Sequence, residues 1–331
     1  MPGIGVPLTR RGEFPLVLPS RTAGKAVTAP PLVPPAPVTP VRDVVEVLHG
    51  TEVHDPYRWL EDRESEETAW SAAQNMRTRQ VLDALPWRRP LHDRLLSLLQ
   101  VGTISSDGPL SGLAPAAVGP AVAGDRVFFL ERERDQDQTV LVVRSAVDAE
   151  TPAKVVVEGR TSRERLAIRG ASNGGLLVGA AITQRPDLCR AAICAVPLID
   201  MLRFHHFLLG AVWVTEYGNP DVLEQFAAIA AYSPYHHVVE GTPYPATLIT
   251  TAESDSMVDP LHARKFAARL QAATAEPDER PVLVRIEARA GHGPGKPAWK
   301  QADEAADIWA FVFWQLGMAL PGGQPGSGRS G

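Results

Sequence analysis

Three side chains far apart in the chain have the types that acyl transfer needs. Ser172 lies in Gly170-Ala171-Ser172-Asn173-Gly174-Gly175, Asp255 in Ser254-Asp255-Ser256, and His292 in Ala290-Gly291-His292-Gly293-Pro294-Gly295. A serine hydroxyl is a weak nucleophile until a base removes its proton. An imidazole serves as that base when a carboxylate fixes its tautomer and stabilises its charged form. The Gly-x-Ser-x-Gly spacing suits a sharp strand-to-helix turn that lifts the hydroxyl above a sheet. Gly170 and Gly174 are expected there because the turn leaves no room for β-carbons beside the serine. The glycines around His292 let its ring protrude from a loop. Such chemistry requires neither metal nor nucleotide, so no cofactor and no metal are expected. The pairs His205-His206 and His236-His237 are read as structural or surface residues, because adjacent helical side chains point about 100° apart and do not share a ligand.

These residues need elements that bring them together. After residue 159 the pattern alternates between short apolar strands and helices: strands at 165–169, 191–196, 246–251 and 282–288, with helices from 174, from about 261, and onward to about 316. Such alternation predicts an α/β fold, a parallel sheet covered by helices on both faces. Ser172 follows the first of these strands, Asp255 the third and His292 the fourth. The order Ser, Asp, His at strand ends is that of α/β-hydrolases.

Upstream, 65–100 reads as helix with Ser65 as N-cap, split at Pro86 and Pro90, the second part running from about 91 to 99. Segments 126–131 and 139–144 read as one antiparallel hairpin around a polar turn. Residues 1–40 are proline-rich, with no helical or strand periodicity, and are expected to form a mobile leader; 319–331 is expected to form a frayed tail. The expected division is therefore 1–40 leader, 41–158 N-terminal segment, 159–318 catalytic half and 319–331 tail.

Several separate blocks resemble the prolyl oligopeptidase family. His49-Gly50-Thr51 followed by Asp55-Pro56-Tyr57-Arg58-Trp59-Leu60-Glu61-Asp62 is similar to its opening signature, continued by Ala73-Gln74-Asn75. Gly170 to Leu177, Gln184 to Leu188, Asp200-Met201-Leu202, Tyr232-Ser233-Pro234, Pro260-Leu261-His262 and Gly291 to Pro297 are similar to the blocks around its catalytic residues. The resemblance implies a partial α/β-hydrolase preceded by a helical segment and a remnant β-propeller hairpin. It implies a serine peptidase acting after proline in short peptides, with Ser172 as nucleophile, His292 as base, Asp255 as its orienting acid and the Asn173 N–H as oxyanion donor. Trp213 is implied as the face on which the proline ring stacks, with Leu198, Tyr217 and Val258 as further pocket wall. An apolar pyrrolidine suits an aromatic face, and such a pocket rejects charged side chains through desolvation.

Members of that family are longer, and here the hairpin runs through 155–160 almost directly into the nucleophile strand. Most of the propeller and the first strands of the hydrolase sheet are expected to be absent, together with a loop tyrosine that supplies a second oxyanion hydrogen bond in the family. One lost donor lowers turnover by about 10² to 10³. Met257 stands where the family carries an arginine that holds the substrate backbone. The competing expectations are an inactive remnant and a small-ester hydrolase. Strand 165–169 is expected at an open sheet edge, which either the N-terminal hairpin caps or a second copy pairs with.

Composition limits the remaining classes. The 331 residues are 44% apolar with a formal net charge of −5, enough for a substantial core and with no basic stripe for phosphate backbones, so nucleic acid is not an expected partner. No run of about 18 apolar residues occurs, so no membrane span is expected. Arg10-Arg11 before the apolar 14–18 resembles a twin-arginine export signal, but prolines break the run and it is short. Cys189 and Cys194, the only cysteines, sit among apolar residues and are expected to be free thiols, and the protein is expected to be cytoplasmic.

Overall fold

The computed structural model describes residues 31–62, 64–100, 162–288, 290–292 and 296–318, and strands at 121–123, 126–131, 140–145 and 154–155. Residues 1–30 of the expected leader, the turn at 132–139 and the tail at 319–331 lie outside the described residues. The chain divides into two compact units, one of residues 28–103 with 161–331, the other of 1–27 with 104–160. The expected 41–158 segment is therefore split, its helical part joining the catalytic half.

At the centre of the larger unit is a parallel four-stranded sheet of β7 (Ala167–Ala171), β8 (Ala191–Ala195), β9 (Ala246–Ala252) and β10 (Val282–Glu287), in the order β10-β9-β8-β7. β8 and β9 are buried throughout; β8 is a run of small and apolar residues, and β9 sets Thr247, Thr250 and Thr251 among its apolar ones. Strand alternation divides the core. Ala192, Cys194 and Ile249 face one cluster with Val178 and Ile182 of α3 (Asn173–Gln184) and Phe266 and Leu270 of α6 (Leu261–Ala273). Ala191, Ile193 and Leu248 face the opposite cluster with Ile308 and Phe311 of α7 (Ala298–Gln315).

Helix α1 (Ser65–Asp83) contributes to both clusters, Trp70 to the first, Val81 and Leu82 to the second, because it crosses the edge of the sheet at β10. Its polar side chains occupy the place of a fifth strand. Asn75 donates to Ile286 O (2.9 Å) and accepts from Ile286 N (2.8 Å), Thr78 Oγ1 bonds Val284 O (2.5 Å) and N (3.1 Å), and Arg77 donates to Val282 O (2.7 Å). Glu64 holds the N-cap position, with Ser65 as the first helical residue. α2 (Arg88–Gln100) starts three residues earlier than expected, since Pro90 in a first turn has no helical acceptor to forgo.

Residues 31–40 are not a free leader. Val33 packs on the second cluster, Pro34 O accepts from Arg77 Nε (2.8 Å), Thr39 Oγ1 from Trp70 Nε1 (2.8 Å) and Pro40 O from Trp59 Nε1 (2.9 Å). An extended proline-rich chain leaves its carbonyls available to such donors. A further hairpin follows, β1 (Val44–Leu48) with β2 (Thr51–Asp55), closed by His49 and Gly50 at φ of 52° and 84°. Two successive positive φ angles make the primed turn that hairpins favour.

In the smaller unit β3 (Ala121–Ala123), β4 (Arg126–Glu131), β5 (Val140–Ser145) and β6 (Lys154–Val155) form an antiparallel sheet in that order. The expected hairpin is its middle pair, with one more strand on each side.

Candidate active site

Ser172 sits at the turn between β7 and α3 with φ 56° and ψ −120°, a conformation rare for a residue with a β-carbon and held by its surroundings. Its N–H donates to Ala195 O (2.9 Å), tying the turn to β8, and its carbonyl accepts from Gly175 N (2.8 Å) and Leu176 N (3.1 Å), starting the helix. A β-carbon at Gly170 would lie 1.9 Å from Gly174 O, so that glycine is required. Gly174 is not: a β-carbon there meets nothing within 4 Å. The second crowded position is Gly175, whose β-carbon would lie 2.7 Å from Pro197 Cβ, a correction to the sequence expectation. The next residue, Asn173, opens α3, and its N–H is among the first-turn donors that a helix leaves without an internal acceptor.

Asp255 is buried in the loop after β9. Its Oδ1 accepts from Met257 N (2.8 Å) and Val258 N (3.0 Å), leaving Oδ2 2.7 Å from His292 Nδ1. The loops that carry the two residues are joined by Glu253 N to Glu287 O (3.0 Å) and Ser254 N to Ala290 O (3.1 Å). A carboxylate only accepts, so the proton lies on Nδ1 and the lone pair of Nε2 is left for a substrate or nucleophile. The Ser172 hydroxyl and the His292 ring make no hydrogen bond with each other among the described residues.

Leu198 and Val258 are buried in one apolar cluster with Leu176, Phe204 and Phe226, and Trp213 and Tyr217 pack half-buried against it. Trp213 and Tyr217 stand four residues apart on α4 (Gly210–Tyr217), hence on one face. Phe204 meets Tyr217 edge-on, centroids 5.8 Å apart at 89°. Burial and the neighbouring Glu216 push the Tyr217 hydroxyl up to about 12. Met257 is exposed.

Sequence reasoning missed a buried charge cluster. The Lys265 ammonium, wholly inaccessible, donates to Asp55 (2.7 Å), Glu61 (2.7 Å) and Asp200 (2.6 Å). Tyr235 and Arg58 bond the same Asp55. Asp55 and Asp200 fall in the motif blocks, which was a signal of importance, but nothing local pairs either of them with Lys265. The divergence expected of His205 and His206 also fails, for their rings lie 3.8 Å apart. Rotation about side-chain bonds lets two rings meet even where adjacent Cβ directions diverge.

The sequence profile described as "Prolyl oligopeptidase family" matches residues 149–319, more than half of the chain, and that described as "Prolyl oligopeptidase, N-terminal beta-propeller domain" matches 37–160. The prolyl endopeptidase of Elizabethkingia miricola is 45% identical over 161 residues, covering 48% of this chain and 23% of the relative. That of Dictyostelium discoideum is 40% identical over 167 residues, covering 50% and 22%. A solved prolyl endopeptidase structure is 49% identical, with a TM-score of 0.47 over 48% of this chain and 23% of that one. The chain thus spans less than a quarter of the length of the curated relatives it matches. By its catalytic-domain profile, which covers the Ser172 elbow and the Asp255–His292 pair, this chain belongs to the prolyl oligopeptidase family.

Proposed function

We propose that this chain is a serine peptidase that hydrolyses short peptides after proline. The observation that carries the reading is the Asp255–His292 contact of 2.7 Å, with the other carboxylate oxygen committed to two backbone N–H groups, at the same end of the sheet as the strained Ser172 turn. In this mechanism Ser172 Oγ attacks the carbonyl carbon of the proline itself while His292 Nε2 takes its proton. The Asn173 N–H donates to the oxyanion, and His292 passes the proton to the departing amine before water releases the acyl group. Free enzymes commonly hold this serine–histidine contact loose and tighten it on substrate. Trp213, Tyr217, Leu198 and Val258 form the apolar wall for the proline ring, which their shared cluster supports.

A second reading, hydrolysis of small esters, is favoured by Met257, exposed beside Asp255 and without a donor to hold a peptide carbonyl. An ester's better leaving group tolerates a weaker oxyanion site. The test treats the folded protein with a fluorophosphonate probe and with fluorogenic proline amide and proline ester substrates. Labelling at Ser172 with amide cleavage is expected; cleavage of the ester alone selects the second reading, and no labelling ends both. We place the protein in the cytoplasm, which its two buried free cysteines support. No helix among the described residues is long and apolar enough to cross a membrane. Self-association is expected through β7, which ends the sheet and pairs only with β8 among the described residues; sedimentation would detect it.

A further inference from the structure

His205 and His206 end the short helical turn Phe204–His206, and Asp221 lies in the loop that follows α4. His205 Nε2 is 3.1 Å from Asp221 Oδ2, and one donor atom from each of His205, His206 and Asp221 can be chosen so that all lie within 4.8 Å of one another. The geometry points to a divalent transition-metal site of the zinc class formed by His205, His206 and Asp221. Two imidazoles and one carboxylate are ligands that zinc, nickel, copper and cobalt accept, whereas calcium and magnesium prefer oxygen donors alone. Ligand bonds of about 2.0–2.1 Å in a tetrahedron set donors roughly 3.3 Å apart, close to the present separation of His205 and Asp221. At that pair the metal would replace the shared proton with little movement. His205 Nδ1 makes no hydrogen bond, so an exchange of ring tautomer breaks no other contact.

The frame is also prepared. The His205 side chain is only 8% exposed and meets Phe204 edge-on, centroids 5.7 Å apart, while the Asp221 N–H donates to Asn219 Oδ1 (3.0 Å), which shapes its loop. His206 and Asp221 are exposed, leaving the fourth coordination position to water. A neighbouring cation, Arg203, is turned toward Glu61 at 2.8 Å. The other acidic cluster, Asp55 with Glu61 and Asp200, already surrounds the Lys265 ammonium and offers no such opening.

The site adjoins the proposed proline pocket, since Phe204 on the same turn packs against Tyr217. An effect of metal on KM would rest on the peptidase reading, whereas metal binding itself does not. The test is titration of the full chain with zinc chloride by calorimetry, with cobalt(II) absorption as a report of four-coordinate geometry and magnesium chloride as the control. One equivalent of zinc is expected to bind. His206→Gln and Asp221→Asn should each weaken it more than about tenfold, since loss of even a supporting group costs about 10- to 100-fold. Both positions are exposed, and far-UV circular dichroism checks that the variants fold. His292→Gln should leave the affinity unchanged. Equal binding by the two site variants, or loss of binding in His292→Gln, overturns the proposal; the latter would put the metal on the His292–Asp255 pair. Inactivity toward proline amides with zinc binding intact would count against the peptidase reading alone.

Discussion

At the scale of single residues, Asp255 and the two glycines behind Ser172 do separable work. Asp255 uses both oxygens, one on backbone N–H groups and one on His292, so Asp255→Asn keeps the loop acceptor but presents the ring with a different partner. Amide turnover is expected to fall by about 10³- to 10⁴-fold with labelling of Ser172 slowed in parallel, measured by steady-state kinetics and probe incorporation. The glycines make a sharper contrast. Gly175→Ala drives a β-carbon to 2.7 Å from Pro197 and should cost about 1–3 kcal/mol in urea unfolding, the usual penalty for overpacking. Gly174→Ala enters open space within a helix and should be neutral or stabilising by up to about 1 kcal/mol. The motif alone assigned the crowding to positions 170 and 174, because spacing reveals where a turn lies and not which later residue, here Pro197, packs against it.

At the scale of elements, helix α1 is the part whose purpose the sequence did not disclose. Its apolar period made the helix legible, with a boundary near Pro86, but nothing local shows that Asn75, though part of the Ala73-Gln74-Asn75 block, and Thr78 meet a strand edge. They lie one helical turn apart and meet Ile286 and Val284, two residues apart on β10, so that a helix supplies the donors and acceptors a neighbouring strand would supply. An open strand edge invites pairing with another chain, and α1 closes this one. Thr78→Val keeps the shape and removes the hydroxyl, leaving Val284 N and O without their side-chain partner. Unfolding free energy is expected to drop by about 1–3 kcal/mol, with faster amide exchange at Val284. Equal exchange in the variant and the parent would show that the edge is protected by other means.

At the scale of the whole larger unit, buried charge links the N-terminal segment to the catalytic half. Burial opposes ionisation of both Lys265 and Asp200, yet their mutual attraction outweighs it, raising the lysine and holding the Asp200 carboxyl below its ordinary value. Lys265→Met would leave three carboxylates facing one another and is expected to cost about 3–5 kcal/mol, read by urea unfolding. Beside this cluster, burial, only partly offset by the Asp200 carboxylate, pushes His262 down to about 4. Its Nδ1 accepts from the N–H of Asp200 (3.2 Å), which also favours the neutral ring. The unfolded chain therefore takes up this proton first as pH falls. The stability that His262 contributes is complete above its ordinary value near 6.5 and is lost as pH drops towards 4, amounting to roughly 3 kcal/mol. Urea midpoints measured from pH 7 to 4 should fall accordingly, and His262→Gln should flatten that slope.

What the sequence determined by itself was local: the serine turn, the alternation of strands and helices after residue 159, and the order of Ser172, Asp255 and His292 at the ends of the first, third and fourth strands of that sheet. Each is a pattern of near neighbours, legible because turn geometry and strand or helix period act over a few residues. Tertiary structure alone decided which side chains meet across the fold. Thr78 finds Val284 across 206 positions and Lys265 finds Asp55 across 210, residues 31–40 dock along α1 instead of moving freely, and two neighbouring histidines converge on Asp221. Such pairings follow from the packing of whole layers, in which a donor is satisfied by whatever acceptor the sheet and its covering helices bring beside it, and no spacing along the chain records that choice.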